Sequence, residues 1–404
     1  MIAACLVLIC VCPAPARAEL PDLSWIKAAP SLEKPPADAT VVRTVEELVR
    51  AVAAARKGQT ILIADGHYLL SRMLDIRTDG VTLRGQSGRR EKVILDGAKS
   101  SHGELVAITG AKGVTIADLT VQNVKWNGIK LNTDKGTTEA RIYNCVLHNI
   151  WQRAIKGPMI PLDRRPEGMP RDCRIEHCLF YNDRPKRLSD DEADTFGGDY
   201  VGGIDCMGCD GWTISNNVFV GIQGLNREGR GAVFLWMGCT GCVVERNVFI
   251  DCDQGICLGN AHLGDVKIHC TDCVVANNFL CRTPEGGIVS VYTKNCRIVH
   301  NTIYDPESRQ GRLVRIVFDA EGLVMANNLL VGPAIRLETK DRINQQGNVV
   351  VRSADWLINV KSGNLHLAQE VAEVVNAADP KYGVTQDFDD HPRDKQPDVG
   401  ADER

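Results

Sequence analysis

Residues 242–260 read CVVERNVFIDCDQGICLGN. A β-branched pair (Val243, Val244) leads to Asn247. An apolar run follows (Val248, Phe249, Ile250), then a polar turn, then a third short run from Ile256 to Leu258. Runs of β-branched and aromatic residues this short, bounded by Asn, Asp and Gly, predict strands rather than helix. The plan recurs in ISNNVF from Ile214, VANNFL from Val275, IVHNTI from Ile298 and MANNLL from Met325. In IYNCVL from Ile142 and IEHCLF from Ile175, cysteine stands in place of the asparagine. Aligning them gives a ladder of Cys145, Cys178, Asn217, Asn247, Asn278, Asn301, Asn328 and Asn348, with steps of 20 to 39 residues. A fixed unit at an elastic spacing marks a solenoid whose turns vary in length. Three short strands per coil, stacked at roughly 4.8 Å per coil, make an all-β, right-handed parallel β-helix. Stacked asparagine amides bond to one another along the axis, so the ladder itself reads as structural.

The rest of the chain fits around that solenoid. Residues 1–18, MIAACLVLICVCPAPARA, are an apolar run closing on Ala-Arg-Ala, the pattern of a secretory signal cut before Glu19. The run is too short to span a bilayer, and it predicts a secreted or periplasmic protein. Residues 19–43 are Pro-rich and predict an extended leader. Thr44 and Glu47 stand at capping-box spacing, and Val45, Leu48, Val49 and Val52 make an apolar stripe, so residues 44–57 predict an amphipathic helix covering the first coil. The β-helix is expected over residues 58–365 and a C-terminal capping tail over 366–404.

The 47 basic and 51 acidic side chains leave a net charge of −4. That balance gives no general pull toward nucleic acid; a monomer that recognises an anion must do so through a local basic patch. Of 16 cysteines, 13 follow residue 18. They obey the repeat: Cys173, Cys242, Cys273 and Cys296 share one row and Cys209, Cys239 and Cys270 another. An exported chain with this many cysteines also suits a disulfide framework, and stacked neighbours lie near disulfide range, but such rows favour mostly buried free thiols packing as small apolar groups. Rows along an axis do not converge on a tetrahedral zinc site, so Cys206, Cys239 and Cys242 are not read as one.

ILIADGHY, following the capping helix, resembles the opening of the pectate-lyase-like superfamily, which includes the alginate lyase and chondroitinase B branch. The closing DFDDHPRDKQPDVGADE is similar to the tails of many secreted bacterial β-helix proteins. The resemblance implies the fold, and with it a polysaccharide lyase that uses a Lys or Arg base, often with Ca2+. GICLGN, after NVFIDC, lacks the basic residue that the alginate lyase branch carries there.

Function is read from the departures from the repeat. Aligned third strands give an outward row of Lys130, Lys156, Asp205, Phe234, Cys257, Val289, Arg315 and Arg336. Insertions at residues 157–172, 181–202 and 222–231 gather around its Lys and Asp members, and long loops beside a rigid strand face are how sites are built. The same coils supply Trp126, Asn127, Trp151, Arg184, Arg187, Tyr200, Arg230 and Trp236 as candidates to stack on and pair with an anionic polysaccharide. Like-charge proximity would make Lys156 a usable base, with Lys130 and Arg153 neutralising a uronate carboxylate, Asp205 orienting a lysine or holding a metal and His148 as a second proton carrier. Asp190, Asp191 and Asp194 in SDDEAD are candidate Ca2+ ligands. The expected function is β-elimination on a uronic-acid polysaccharide. The alternatives are a glycoside hydrolase working through Asp205 with Glu228, Asp251 or Asp253, and a noncatalytic glycan-binding surface protein.

Overall fold

The structure, a computed structural model, describes residues 19–165 and 167–404; the expected signal, residues 1–18, lies outside the described residues. Three long parallel sheets wind around one core. The first carries Val243–Glu245 among its 12 strands, the second Val248–Ile250 among 11, and the third Gln254–Leu258 among 12. Each strand pairs in parallel with its counterparts in the coils before and after.

Period-two alternation sends one residue of each strand inward, and the inward residues stack into columns. Ile142, Ile175, Ile214, Val244, Val275 and Ile298 follow one another in register on the first sheet, and all are fully buried. On the second, Phe180, Phe219 and Phe249 stack with ring centroids 4.5 and 4.8 Å apart. On the third sheet the second residue of four successive strands is small: Gly203, Ala232, Gly255 and Gly287 share one position. A Cβ on Gly255 would lie 2.4 Å from the Gly287 carbonyl oxygen and 2.5 Å from a Leu280 methyl. The recurring GGI, GAV and QGI of the sequence therefore record a tight corner.

The ladder forms as the alignment requires. Asn217 Nδ2 donates to Asn247 Oδ1 at 3.0 Å, and the same link joins Asn247 to Asn278, Asn278 to Asn301, Asn301 to Asn328 and Asn328 to Asn348 at 2.8–3.0 Å. Cys145 and Cys178 extend it at the N-terminal side: the Cys145 amide donates to Cys178 Sγ, and that of Cys178 to Asn217 Oδ1. The residue before each rung is left-handed, with φ of 57° at Asn216, 52° at Arg246, 54° at Asn277 and 58° at Asn327. Asparagine tolerates that conformation better than most residues, which explains the NN doublets. The 13 cysteines among the described residues are free and buried. Burial pushes the Cys252 thiol up to about 12, so it stays protonated.

A helix, Val45–Ala53, lies against the first coils and buries Leu48 and Val52. Half of the expected capping box forms: Thr44 Oγ1 accepts the Glu47 amide at 3.1 Å, while the Glu47 carboxylate accepts the Arg43 amide at 2.7 Å rather than that of Thr44. The leader is extended but strapped down. Tyr143 donates to the Pro30 carbonyl, Arg84 to that of Glu33, and Trp25 packs on Phe279 and Phe388.

Two expectations at the C-terminal side change. Solenoid strands stop at Val349–Val351, and Leu357–Asn359 pairs antiparallel with Asn364–Leu367 as a separate hairpin. The tail packs along the flank of the second sheet, where Phe388 stacks on Phe279 with centroids 4.2 Å apart, rather than across the last coil. The inward positions of that coil are consequently open, Leu337 being 45% and Val350 47% exposed. Polar Gln345 holds the third such position, which lowers the apolar area left uncovered. No helix among the described residues is long and apolar enough to cross a membrane.

Candidate functional site

The outward row of the third sheet is in register throughout: Lys130 opposite Lys156, Lys156 opposite Asp205, Asp205 opposite Phe234, then Cys257, Val289, Arg315 and Arg336. The two lysines are therefore neighbours across one coil step, roughly 4.8 Å. They do not simply face each other. Lys130 Nζ sits 2.9 Å from Glu104, a residue the sequence reading passed over, and Lys156 Nζ 2.7 Å from Asp205. Each ammonium is held on a carboxylate, so the like-charge pair on which the base argument rested is compensated. Glu104 begins the strand that aligns with Asn127 and Arg153, and that alignment was its signal.

Asp205 is the hub. It accepts Lys156 Nζ at 2.7 Å, Arg153 Nε at 2.8 Å and Trp236 Nε1 at 3.0 Å, and is 1% exposed. Burial opposes its ionisation, yet Lys156 and Arg153 together outweigh burial and hold the carboxyl below its ordinary value. Arg153, also 1% exposed, lies under the Tyr200 ring with its guanidinium carbon 3.9 Å from the ring centre. This corrects its expected role: a guanidinium shut in between Asp205 and Tyr200 positions Asp205 and is not open to a substrate carboxylate. Lys130 and Lys156 keep 30% and 13% of their side chains exposed.

His148 is a second correction. It lies on the second sheet, not the third, bonded to Asp183 at 2.9 Å and stacked on Tyr181. The strand that carries it precedes the corner into the lysine strand, and sequence proximity hid the change of face.

The insertion over residues 182–202 is organised by its own charges. Lys186, fully buried, puts Nζ 3.1 Å from Asp191 and 2.7 Å from Asp194 and also donates to the Tyr200 carbonyl. Arg184 takes Asp190 through two bonds of 2.7 Å and lies over Trp151. Asp191 ties the loop to the coils beneath through Trp126 Nε1 at 3.0 Å and Gln152 at 2.8 Å. The carboxylates read as calcium ligands are thus already neutralised by an ammonium and a guanidinium, and the site does not fit the ion. Among the described residues, the groups that could gather a metal are His366, Asp389 and Asp402, and Asp387, Asp389 and His391, in the tail on the flank of the second sheet.

The remaining candidates sort by position. Asn127 reaches Glu104 at 3.5 Å, Trp126 is 37% exposed beside the loop, and Arg187 is exposed at its start. Arg230 stands near Phe196 at the edge of a hollow farther along the row. Of the carboxylates named for hydrolysis, Asp253 is buried on Arg227 and two loop amides and Asp251 is paired with Arg282, while Glu228 is exposed.

A model of the right-handed β-helix region matches residues 104–307. No curated protein matches the chain. Among solved structures, the pectate lyase Pel9A is similar over 88% of this chain and 90% of its own, at 12% identity and a TM-score of 0.50. The PL6 family alginate lyase AlyGC is 17% identical over 77% of this chain, with a TM-score of 0.40, and the chain spans about half of that enzyme, 51%. PfbA, a surface adhesin of Streptococcus pneumoniae, is 14% identical over 76% of this chain and 84% of its own, with a TM-score of 0.48. At such identities the likeness is one of fold, and fold alone does not choose an activity. The matched region covers half of the sequence, and the chain belongs to the right-handed β-helix family.

Proposed function

We propose that this chain is a polysaccharide lyase that cleaves a uronic-acid-containing polysaccharide by β-elimination, acting outside the cytoplasm as a monomer. One observation carries the reading: Lys130 and Lys156 stand side by side on a rigid strand face, partly open to solvent, flanked by the long insertions. Lys130 pairs with the C6 carboxylate of the sugar, exchanging Glu104 for it, and so acidifies the C5 proton. Lys156, in its neutral form, takes that proton; the C5–H electrons form the C4–C5 double bond, the C4–O bond breaks, and water protonates the departing oxygen. Asp205 and Arg153 hold Lys156 in place. No step uses calcium. The hydrolase alternative is weakened because Asp205, buried and held ionised by two cations, is unsuited to donating a proton to a leaving group.

The test is the ultraviolet absorbance of the unsaturated uronate, followed on alginate, pectate, glucuronan and glycosaminoglycans. A rise on one polymer is expected, reduced about 10²- to 10⁴-fold in Lys156→Ala. New reducing ends without that absorbance would move the mechanism to hydrolysis. Neither signal on any polymer would sink the enzymatic reading.

A further inference from the structure

Beyond Asp205 the outward row changes character. Phe234, Cys257 and Val289 follow in register, and with Val291 and Val317 they form an apolar cluster on the outer face, apart from the solenoid core. A hollow of about 240 Å3 opens over this floor, walled by Phe318 and Arg230 and ended by Arg315. Its charge is lopsided. Arg315 and Arg336 share Glu338 at 2.6 and 2.5 Å, while Arg312, mostly buried, keeps its Nε without a hydrogen-bond partner among the described residues. The other carboxylate near Arg312, Glu285, is taken by Arg309, and Arg230 forms no ion pair among the described residues. Of the residues lining the hollow, Arg230 and Arg315 are cationic and Glu338 alone is acidic, and Glu338 is shared with Arg336, so the lining favours an anion. The floor points a different way: its one polar atom, the Cys257 thiol, already donates to Gln254 at 3.0 Å. A sugar hydroxyl pressed onto it would lose its water without gaining a partner.

A residue that is both anionic and apolar at one hydroxyl satisfies the two halves together. We infer that the hollow binds an O-acetylated uronate residue of the polysaccharide, its free carboxylate on Arg230 and Arg315 and its acetyl methyl on Phe234, Val289 and Val317. The inference rests on the uronate reading above and makes that substrate more specific. Phe234 lies two coils from Lys156, each coil roughly 4.8 Å, so a chain laid along the solenoid axis presents one residue to the lysines and a later one to the hollow.

Calorimetric titration of the full chain carrying Lys156→Ala, which prevents turnover, tests it with short oligogalacturonates and oligomannuronates, each bare or chemically O-acetylated. Acetylated ligands bind about tenfold tighter. Adding Val289→Ser removes that preference and leaves bare ligands within about twofold, while Arg230→Ala weakens both forms about tenfold. Phe318→Ala, at a 44% exposed position on the wall of the hollow, also lowers the preference. Equal or tighter binding of bare ligands, a preference that survives both apolar variants, or no binding of either form would overturn the inference. Elimination is read separately on bare polymers with the unmodified chain. Elimination without an acetyl preference removes this inference alone, and a preference without elimination removes the lyase reading alone.

Discussion

Two rows of side chains run along this solenoid at the same coil spacing, and they differ in one respect. From Asn217 to Asn348 the turn row repeats asparagine, each amide satisfied by the next coil. The outward row of the third sheet runs Lys, Lys, Asp, Phe, Cys, Val, Arg, Arg, and its charged members find partners both within the row and in the strand positions beside it. A uniform row is stable by translation: whatever holds one rung holds all. A mixed row has no single bond to repeat: Lys156 meets its row neighbour Asp205 and Phe234, Cys257 and Val289 cluster, while Lys130 and Arg315 need carboxylates from beside the row. Uniformity marks scaffold here, and departure from it marks where each side chain needs its own partner.

The strongest way to break the comparison is inside the ladder. Asn247→Leu orphans the Asn217 amide and one of its two Nδ2 hydrogens, which both use Asn247 Oδ1, while the other keeps the Ile175 carbonyl, and should cost about 3–4 kcal/mol. A urea melt measures it, and a loss below about 1 kcal/mol would mean that the rungs are not coupled. The insertion should be nearly as sensitive at one position. Lys186→Met leaves Asp191 and Asp194 buried without their cation and should cost about 3–4 kcal/mol, with faster proteolysis within residues 182–202. If calcium restored that variant but not the parent, the ammonium would be standing where a metal can go.

The hub offers a pH test. Asp205 has a folded pKa below its unfolded one, about 3.9, so it binds more protons when unfolded. Its stabilisation is complete above that value and drains away as pH falls through the folded pKa. Acid unfolding followed by circular dichroism should therefore show a component below about pH 4 that is absent in Asp205→Asn, a variant already weakened at neutral pH. The smallest effect belongs to the open end of the row. Glu104→Gln, at a pair partly in water, should change stability by less than about 1 kcal/mol. It frees Lys130 for an anion, so it should tighten uronate binding; weaker binding would remove Lys130 from the carboxylate-recognising role.

The sequence by itself determined the coil, the ladder, the helix cap and the register of the outward row, because each is set by a short-range period repeated many times. Repetition corrects the errors of any single coil: a slip in one alignment would have broken Lys130, Lys156 and Asp205 out of one row. Only the tertiary structure decided what those residues touch. Arg153 turned from a substrate ligand into a clamp on Asp205, SDDEAD closed on Lys186 instead of a metal, His148 fell on another face, and the tail took the flank of the second sheet. These outcomes depend on charges meeting across loops of unequal length. No period along the chain encodes which cation a folded loop brings to which carboxylate; burial and geometry settle that once the solenoid has formed.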